Sequence, residues 1–304
     1  MNIETLSRSE IVRRLRGNGL HLRTGPFTLS IQSDISRLSD PIALLYGDYP
    51  LIAEDAFVDF RVRVNAPCNI RRWIRPQITF AYDGTMPFAP LPSDQVFPML
   101  EWGLNWCVSG YAHGYLIIHS AVVEKNGFAA ILPAPPGSGK STLCAALINR
   151  GWRLLSDELA LIRLTDGMLV PIPRPVSLKN AAIDIIKQYD PSTEFSRKVR
   201  DTIKGTVAHM RPPADSIRRD EEVAMPAWII FPKYEAGAAT SLVPMTPASG
   251  FMRVAENCFN YNLLGKSGFD NLARLTDRCQ CFDFSYSVID EAIETFAALA
   301  TKKA

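Results

Sequence analysis

A chain of 304 residues, 47% hydrophobic and 21% charged, can bury a substantial core, which excludes a largely disordered protein and leaves room for one large domain or two modest ones. Lys and Arg total 33 against 31 Asp and Glu, and a formal charge of +2 gives no general attraction to nucleic acid or to an acidic membrane. The first twenty residues lack a secretory core, no apolar run approaches membrane-spanning length, and six dispersed cysteines make no disulfide framework, so a soluble cytoplasmic protein is expected.

In chain order, Glu4 to Arg16 reads as a helix with Ile11 and Leu15 on one face. Phe27 to Ile31 and Phe57 to Val64 alternate apolar and polar residues, as half-buried strands do, and Pro87, Pro90 and Pro92 close that pattern. These signals predict a small N-terminal β-rich portion with a leading helix over 1–92 and a second unit over 93–304. The short basic runs Arg13 to Arg16 and Arg71 to Arg75 are expected to be solvated faces.

The second unit opens with a helix from Pro98 through Cys107, followed by strand candidates at Tyr115 to Ile118, Ala121 to Val123 and Phe128 to Leu132. Another strand over Trp152 to Ile162 is interrupted by Ser156-Asp157-Glu158. Pro171, Pro173 and Pro175 make an irregular passage to a helix near Asn180, and the polar stretch 189–222, with Pro191, Pro212 and Pro213, reads as a loop-rich insertion. Ala227 to Phe231, Ser241 to Val243 and Phe282 to Phe284 are further strands. Ala248 to Ala255, Gly268 to Leu275 and Val288 to Ala300 are helices. Cys279 and Cys281 fall on one strand face, where packing explains them better than zinc, because no second Cys or His pair completes a site.

The most informative stretch is 134–142, Ala-Pro-Pro-Gly-Ser-Gly-Lys-Ser-Thr, set between an apolar strand and an apolar helix. A buried strand, a glycine-rich turn and a helix N-terminus are the context in which a P-loop grips phosphates. Gly139 lets the backbone approach, Lys140 reaches the terminal phosphates, and the Ser141 hydroxyl is available to Mg2+. Ala134 stands where the usual pattern has its first glycine, and Pro135 and Pro136 lack N–H groups, so fewer backbone donors remain. A nucleoside triphosphate is the expected ligand.

His119 precedes Lys140 by 21 residues, and Asp157 and Glu158 follow it by 17 and 18. With Gly127, Arg150-Gly151 and the run Gly151-Trp152-Arg153-Leu154-Leu155-Ser156-Asp157-Glu158, this spacing resembles the catalytic core of the HPr kinase/phosphorylase family, in its divergent HPr-kinase-related branch. The resemblance covers 119–163 well and the remainder weakly. It implies an α/β fold with a P-loop kinase core of the HPr kinase/phosphoenolpyruvate carboxykinase type, and transfer from ATP or GTP to a hydroxyl. Gly137, Ser138, Gly139, Lys140, Ser141 and Thr142 would hold the triphosphate. Asp157 would be the base near the acceptor, His119 would orient Asp157 or the acceptor, and Ser141, Glu158 and Asp157 would serve Mg2+. Glu158 stands where the regulatory family usually has a second aspartate, which alters metal reach and argues against carrying over the reverse phosphorylase reaction. The family also implies a homo-oligomer.

Arg174 and Lys179 flank a restricted turn as further phosphate or acceptor contacts, and of the cations in 204–213 Arg211 is favoured for that task. His21, His113 and His209 form no zinc signature. The expectation is a kinase acting with ATP and Mg2+ on a peptide, protein or small-molecule hydroxyl. Its competitors are an ATPase that drives assembly or export, and a catalytically weak nucleotide-responsive scaffold or sensor.

Overall fold

In a computed structural model, which describes residues 1–302, the chain is a mixed α/β protein whose described residues form three sheets of five, eight and three strands. The first sheet orders Leu20–Thr24, Phe27–Gln32, Phe60–Asn65, Gln77–Tyr82 and Leu91–Pro92 side by side. Ser7 caps the helix Arg8–Arg16 by accepting from the Glu10 amide, and the helix buries Ile11 and Leu15 against this sheet's core. The opening helix therefore starts four residues later than its periodicity suggests, since a short 3-10 turn occupies Ile3–Thr5.

The helix predicted to open the second unit, Val96–Tyr111, instead packs on this first sheet. Gly103 is the reason it lies so close: a Cβ there would stand 2.1 Å from the Phe80 ring. The same core takes in Ile117, Leu159 and Leu161 from the large sheet, so apolar packing runs straight across the boundary at 92/93.

The large sheet runs in the order Leu169–Val170, Leu159–Arg163, Tyr115–Lys125, Phe128–Pro133, Met225–Tyr234, Gln280–Tyr286, Ser241–Met245. Its middle strands Phe128–Pro133, Met225–Tyr234 and Gln280–Tyr286 are parallel and covered on both faces. Lys140–Ile148 and Ile289–Thr301 bury their apolar residues on one side, while Pro247–Ala255 and Lys266–Arg278 cover the other. Cys279 and Cys281 lie buried in that second core, so the shared strand face is a packing face.

The stretch 189–222 is more ordered than its polarity suggests. Val199–Thr202 and Gly205–Met210 form a hairpin that pairs with Val176–Lys179 as the small sheet, and Ala214–Arg218 is helical. The prolines mark only the ends of these elements. What orders the hairpin is nonlocal burial: Ala208 and Met210 are completely buried in the apolar core they share with residues of the helices Lys140–Ile148 and Ala181–Tyr189. Among the described residues no helix is long and apolar enough to cross a membrane.

Candidate functional site

Strand register assembles the centre. Tyr115–Lys125 pairs with Phe128–Pro133 on one side, Ser120 facing Pro133, the last residue before the glycine-rich turn. On its other side it pairs with Leu159–Arg163 up to His119↔Leu159 and with Arg153–Ser156 from Val122↔Ser156 onward. Asp157 and Glu158 fall in the gap between those two partners, and the Ser120 amide donates to the Glu158 carbonyl at 3.2 Å. One strand therefore holds His119 between the glycine-rich turn and the acidic pair. The interruption read in Trp152 to Ile162 is this gap.

The turn is shaped for close approach. Gly137 and Gly139 both have φ of 88°, and a Cβ on Gly139 would stand 2.7 Å from the Tyr286 hydroxyl. Pro135, Pro136 and Gly137 are exposed; the Ser138 carbonyl accepts from the Tyr234 amide at 2.9 Å, and the Gly139 carbonyl from the Tyr286 hydroxyl at 3.2 Å. Lys140 opens the helix Lys140–Ile148, with Ser141 and Thr142 half-buried in its first turn, so unpaired helix amides and a lysine face one place. Beside the turn, Pro135, Gly137, Ser138, Tyr234, Arg253 and Phe284 border a cavity of about 480 Å³, the size of a small-molecule site.

Lys140 donates from Nζ to His119 Nε2 at 3.2 Å, and His119 Nδ1 stands 3.7 Å from Glu158 Oε2. An acceptor at Nε2 leaves the ring proton on Nδ1, toward the carboxylate, a tautomer inferred from these partners. Burial, reinforced by the Lys140 charge, lowers the His119 pKa to about 4, so the ring is neutral at ordinary pH.

The two carboxylates are driven apart. Burial, with repulsion from Glu158 added, raises Asp157 to about 6 against the pull of Lys140 and Ser141. Burial alone would also raise Glu158, but Lys140, His119, Lys179 and Lys204 together hold it below its ordinary value. Neighbouring carboxyls with opposite shifts provide one group poised to take a proton and one kept charged. Asp157 Oδ2 accepts from the Ser177 amide at 3.2 Å, whereas Oδ1 is buried without a hydrogen bond.

Of the other expected contacts, Arg174 reaches this centre. It is buried, pairs with Glu101 at 3.5 Å, bonds Asn105, and lines a cleft with Asp157 and Glu158. Lys179 contributes its charge near Glu158. Arg211 is engaged elsewhere, with Asp48 at 2.8 Å and Glu194 at 2.6 Å, and from its segment it is Lys204 that stands near Glu158, with its ammonium 4.9 Å from the centre of the Trp102 ring. Arg211 thus binds two chain segments together, because two acidic partners satisfy its fork.

Sequence reasoning missed Glu101, Trp102, Asn105, Ser177 and His209 as parts of the cleft. A signal was present for the first: Glu101 interrupts an otherwise apolar helix face, and a charge there needs a partner. Its partners are Arg174 and the Tyr46 hydroxyl at 2.5 Å.

The oxygen donors fit a small hard cation: a carboxylate held ionised at Glu158, the Ser141 hydroxyl at the helix start, and Asp157 beside them. Among the described residues no group of three or more His, Cys, Asp and Glu is arranged to hold an ion by itself, so a cation here would complete its shell with phosphate oxygens and water.

No family model matches the chain, and no curated protein matches it. Among solved structures it is similar to the HPr(Ser) kinase/phosphatase from Coxiella burnetii, at 12% sequence identity and a TM-score of 0.28, over 61% of this chain and 98% of that one. That relationship is distant, and it transfers neither fold nor activity to this chain.

Proposed function

We propose that the protein is a P-loop kinase that transfers the terminal phosphate of ATP to a hydroxyl of a peptide, protein or small biosynthetic intermediate. One observation carries the reading: a glycine-rich turn and its lysine, joined through His119 to an acidic pair whose members are shifted in opposite directions. The triphosphate lies along Gly137 to Thr142, with its base and sugar in the adjoining cavity. Three cations, Lys140, Lys179 and Lys204, draw in the polyanion around Glu158.

Ser141 and Glu158, with Asp157 adjacent, would hold Mg2+, which supplies charge neutralisation to the phosphates when bound. Asp157 accepts the hydroxyl proton, since its pKa near 6 leaves it mostly ionised at neutral pH yet basic enough to bind a proton. His119, neutral and hydrogen-bonded by Lys140, fixes the lysine's direction. Alignment and charge compensation supply most of the acceleration, because this reaction gathers negative charge in a small volume.

The test is Asp157→Asn, a near-isosteric loss of the base. Nucleotide affinity is expected to persist while transfer to acceptors in cell extract drops by about 10²–10⁴-fold. Turnover equal to wild type would remove Asp157 from the chemistry. Release of inorganic phosphate with no phosphorylated acceptor from any extract would point instead to an ATPase.

A further inference from the structure

The loop that joins Phe60–Asn65 to Gln77–Tyr82 contains a helical turn built inside out. The Trp73 and Ile74 amides both donate to the Ile70 carbonyl, at 3.1 and 3.0 Å, so Ile70, Trp73 and Ile74 share one face, as residues three and four apart do. In a globular protein such a stripe ordinarily faces the core. Here the three side chains are 63%, 73% and 58% exposed, while the other four tryptophans are buried or half-buried. The turn is anchored in this pose: the Asn69 side chain accepts from the Arg71 amide at 2.9 Å, Arg72 is paired with Asp34, and the Pro76 carbonyl accepts from the Ser93 amide at 2.9 Å. Its apolar face is therefore held outward by the fold.

From Arg61 to Pro76 the chain carries five arginines and no acidic residue. The first sheet adds a second basic run to the same end. The Ser33 amide donates to the Leu15 carbonyl, the Gln32 side chain bonds both the Gly17 carbonyl and Arg63, and Asp34 bonds Asn65 and Arg72, so the last turn of the helix Arg8–Arg16 stands on the side of the sheet that carries the exposed turn. Glu10 answers Arg13 and Arg14 within the helix, and Asp34 answers Arg72. Arg16, Arg37, Arg71 and Arg75 are exposed, and none of them has an acidic partner among the described residues. The formal charge of +2 averages this concentration away.

A protein partner would find little to hold here. A stable protein interface takes about 20 residues a side, whereas the turn offers three apolar side chains fringed by charge of one sign. A bilayer containing anionic lipid matches both features, because Trp settles at head-group depth, Ile reaches the acyl boundary, and Arg meets lipid phosphates. We propose that this end of the first sheet is a peripheral membrane-binding surface, which sets Ile70, Trp73 and Ile74 into the interfacial layer of an anionic bilayer and Arg71 and Arg75 on its phosphates. The small apolar area makes the contact reversible. Binding of this kind needs no nucleotide.

The test is sedimentation of the full-length protein with vesicles of phosphatidylcholine, either alone or mixed equally with phosphatidylglycerol. The mixed vesicles are expected to bind about tenfold or more tightly than the neutral ones, and to lose that advantage at about 0.5 M salt, where exposed charges are screened. Arg71→Gln with Arg75→Gln should weaken binding to mixed vesicles roughly fivefold per arginine, and Ile70→Ser with Trp73→Ser by about tenfold or more. All four side chains are exposed, so neither pair is expected to shift the melting temperature. Tryptophan emission should move to shorter wavelength on mixed vesicles, and Trp73→Phe should abolish that shift. No sedimentation with mixed vesicles at low salt overturns the proposal and leaves the turn to a protein partner. Full binding by the Ile70→Ser, Trp73→Ser protein, or an emission that stays in place, overturns it equally, since charge alone would then hold the chain to the surface.

Discussion

The two walls of the cleft solve different physical problems. On one side the glycine-rich turn presents main chain: exposed Pro135 to Gly137, two glycines in left-handed geometry, and the open N-terminus of Lys140–Ile148. On the other, the helix Val96–Tyr111 and the strands Val176–Lys179 and Gly205–Met210 present side chains, several buried with unmet hydrogen-bonding capacity. Backbone amides at an accessible turn suit a large polyanion that arrives hydrated and is gripped at many points. Fixed, buried side chains suit one small group whose identity has to be checked. Asp157 touches both walls, and its burial is what makes it basic.

That contrast is open to attack at three levels. The largest effect should come from Lys140→Ala, which removes a cation from the turn and the hydrogen bond that directs His119. Transfer is expected to fall by about 10²–10³-fold and nucleotide affinity to weaken, measured by initial rates and calorimetry. An unaltered nucleotide affinity would deny the turn its ligand.

The next lies in pH. Transfer needs Asp157 ionised, so kcat/KM should drop about tenfold per pH unit below a pH near 6 and level off above it. Neutral His119 stays deprotonated across that window, since its own pKa is lowered to about 4. Because the Glu158 charge helps to raise Asp157, Glu158→Gln should move the Asp157 carboxyl titration, followed by NMR in the nucleotide-free protein, to lower pH. A titration that stays put would separate the two carboxylates electrostatically.

The smallest effect separates two cations from one segment. Lys204→Ala is expected to weaken nucleotide binding by about 1 kcal/mol, roughly fivefold, because a partly screened charge near Glu158 is lost. Arg211→Ala should leave binding alone and lower the melting temperature instead, since it cuts the links to Asp48 and Glu194. Reversed results would restore Arg211 to the site.

How much of this was legible varies with the sequence distance between the parts. The strand, turn and helix around 128–148 are encoded within twenty-one residues, and the break at Asp157-Glu158 showed as polar residues inside an apolar run. The hairpin at 199–210 was hidden, because its polar, proline-flanked sequence looks like loop until Ala208 and Met210 find their burial against distant helices. Arg174 and Arg211 illustrate the limit: both are arginines in proline-containing segments, yet one lies beside Asp157 and the other pairs with Asp48. Nothing local distinguishes them.

By itself, then, the sequence determined the glycine-rich turn, the lysine and hydroxyls that follow it, and the spacing to His119 and the acidic pair, because dihedral freedom and helix polarity are local properties of the chain. Tertiary structure alone decided which side chains meet Asp157 from the far side and how far its pKa rises. Burial and charge proximity depend on contacts between segments as far apart as Glu101 and Arg174, and such contacts exist only once the core has closed around them.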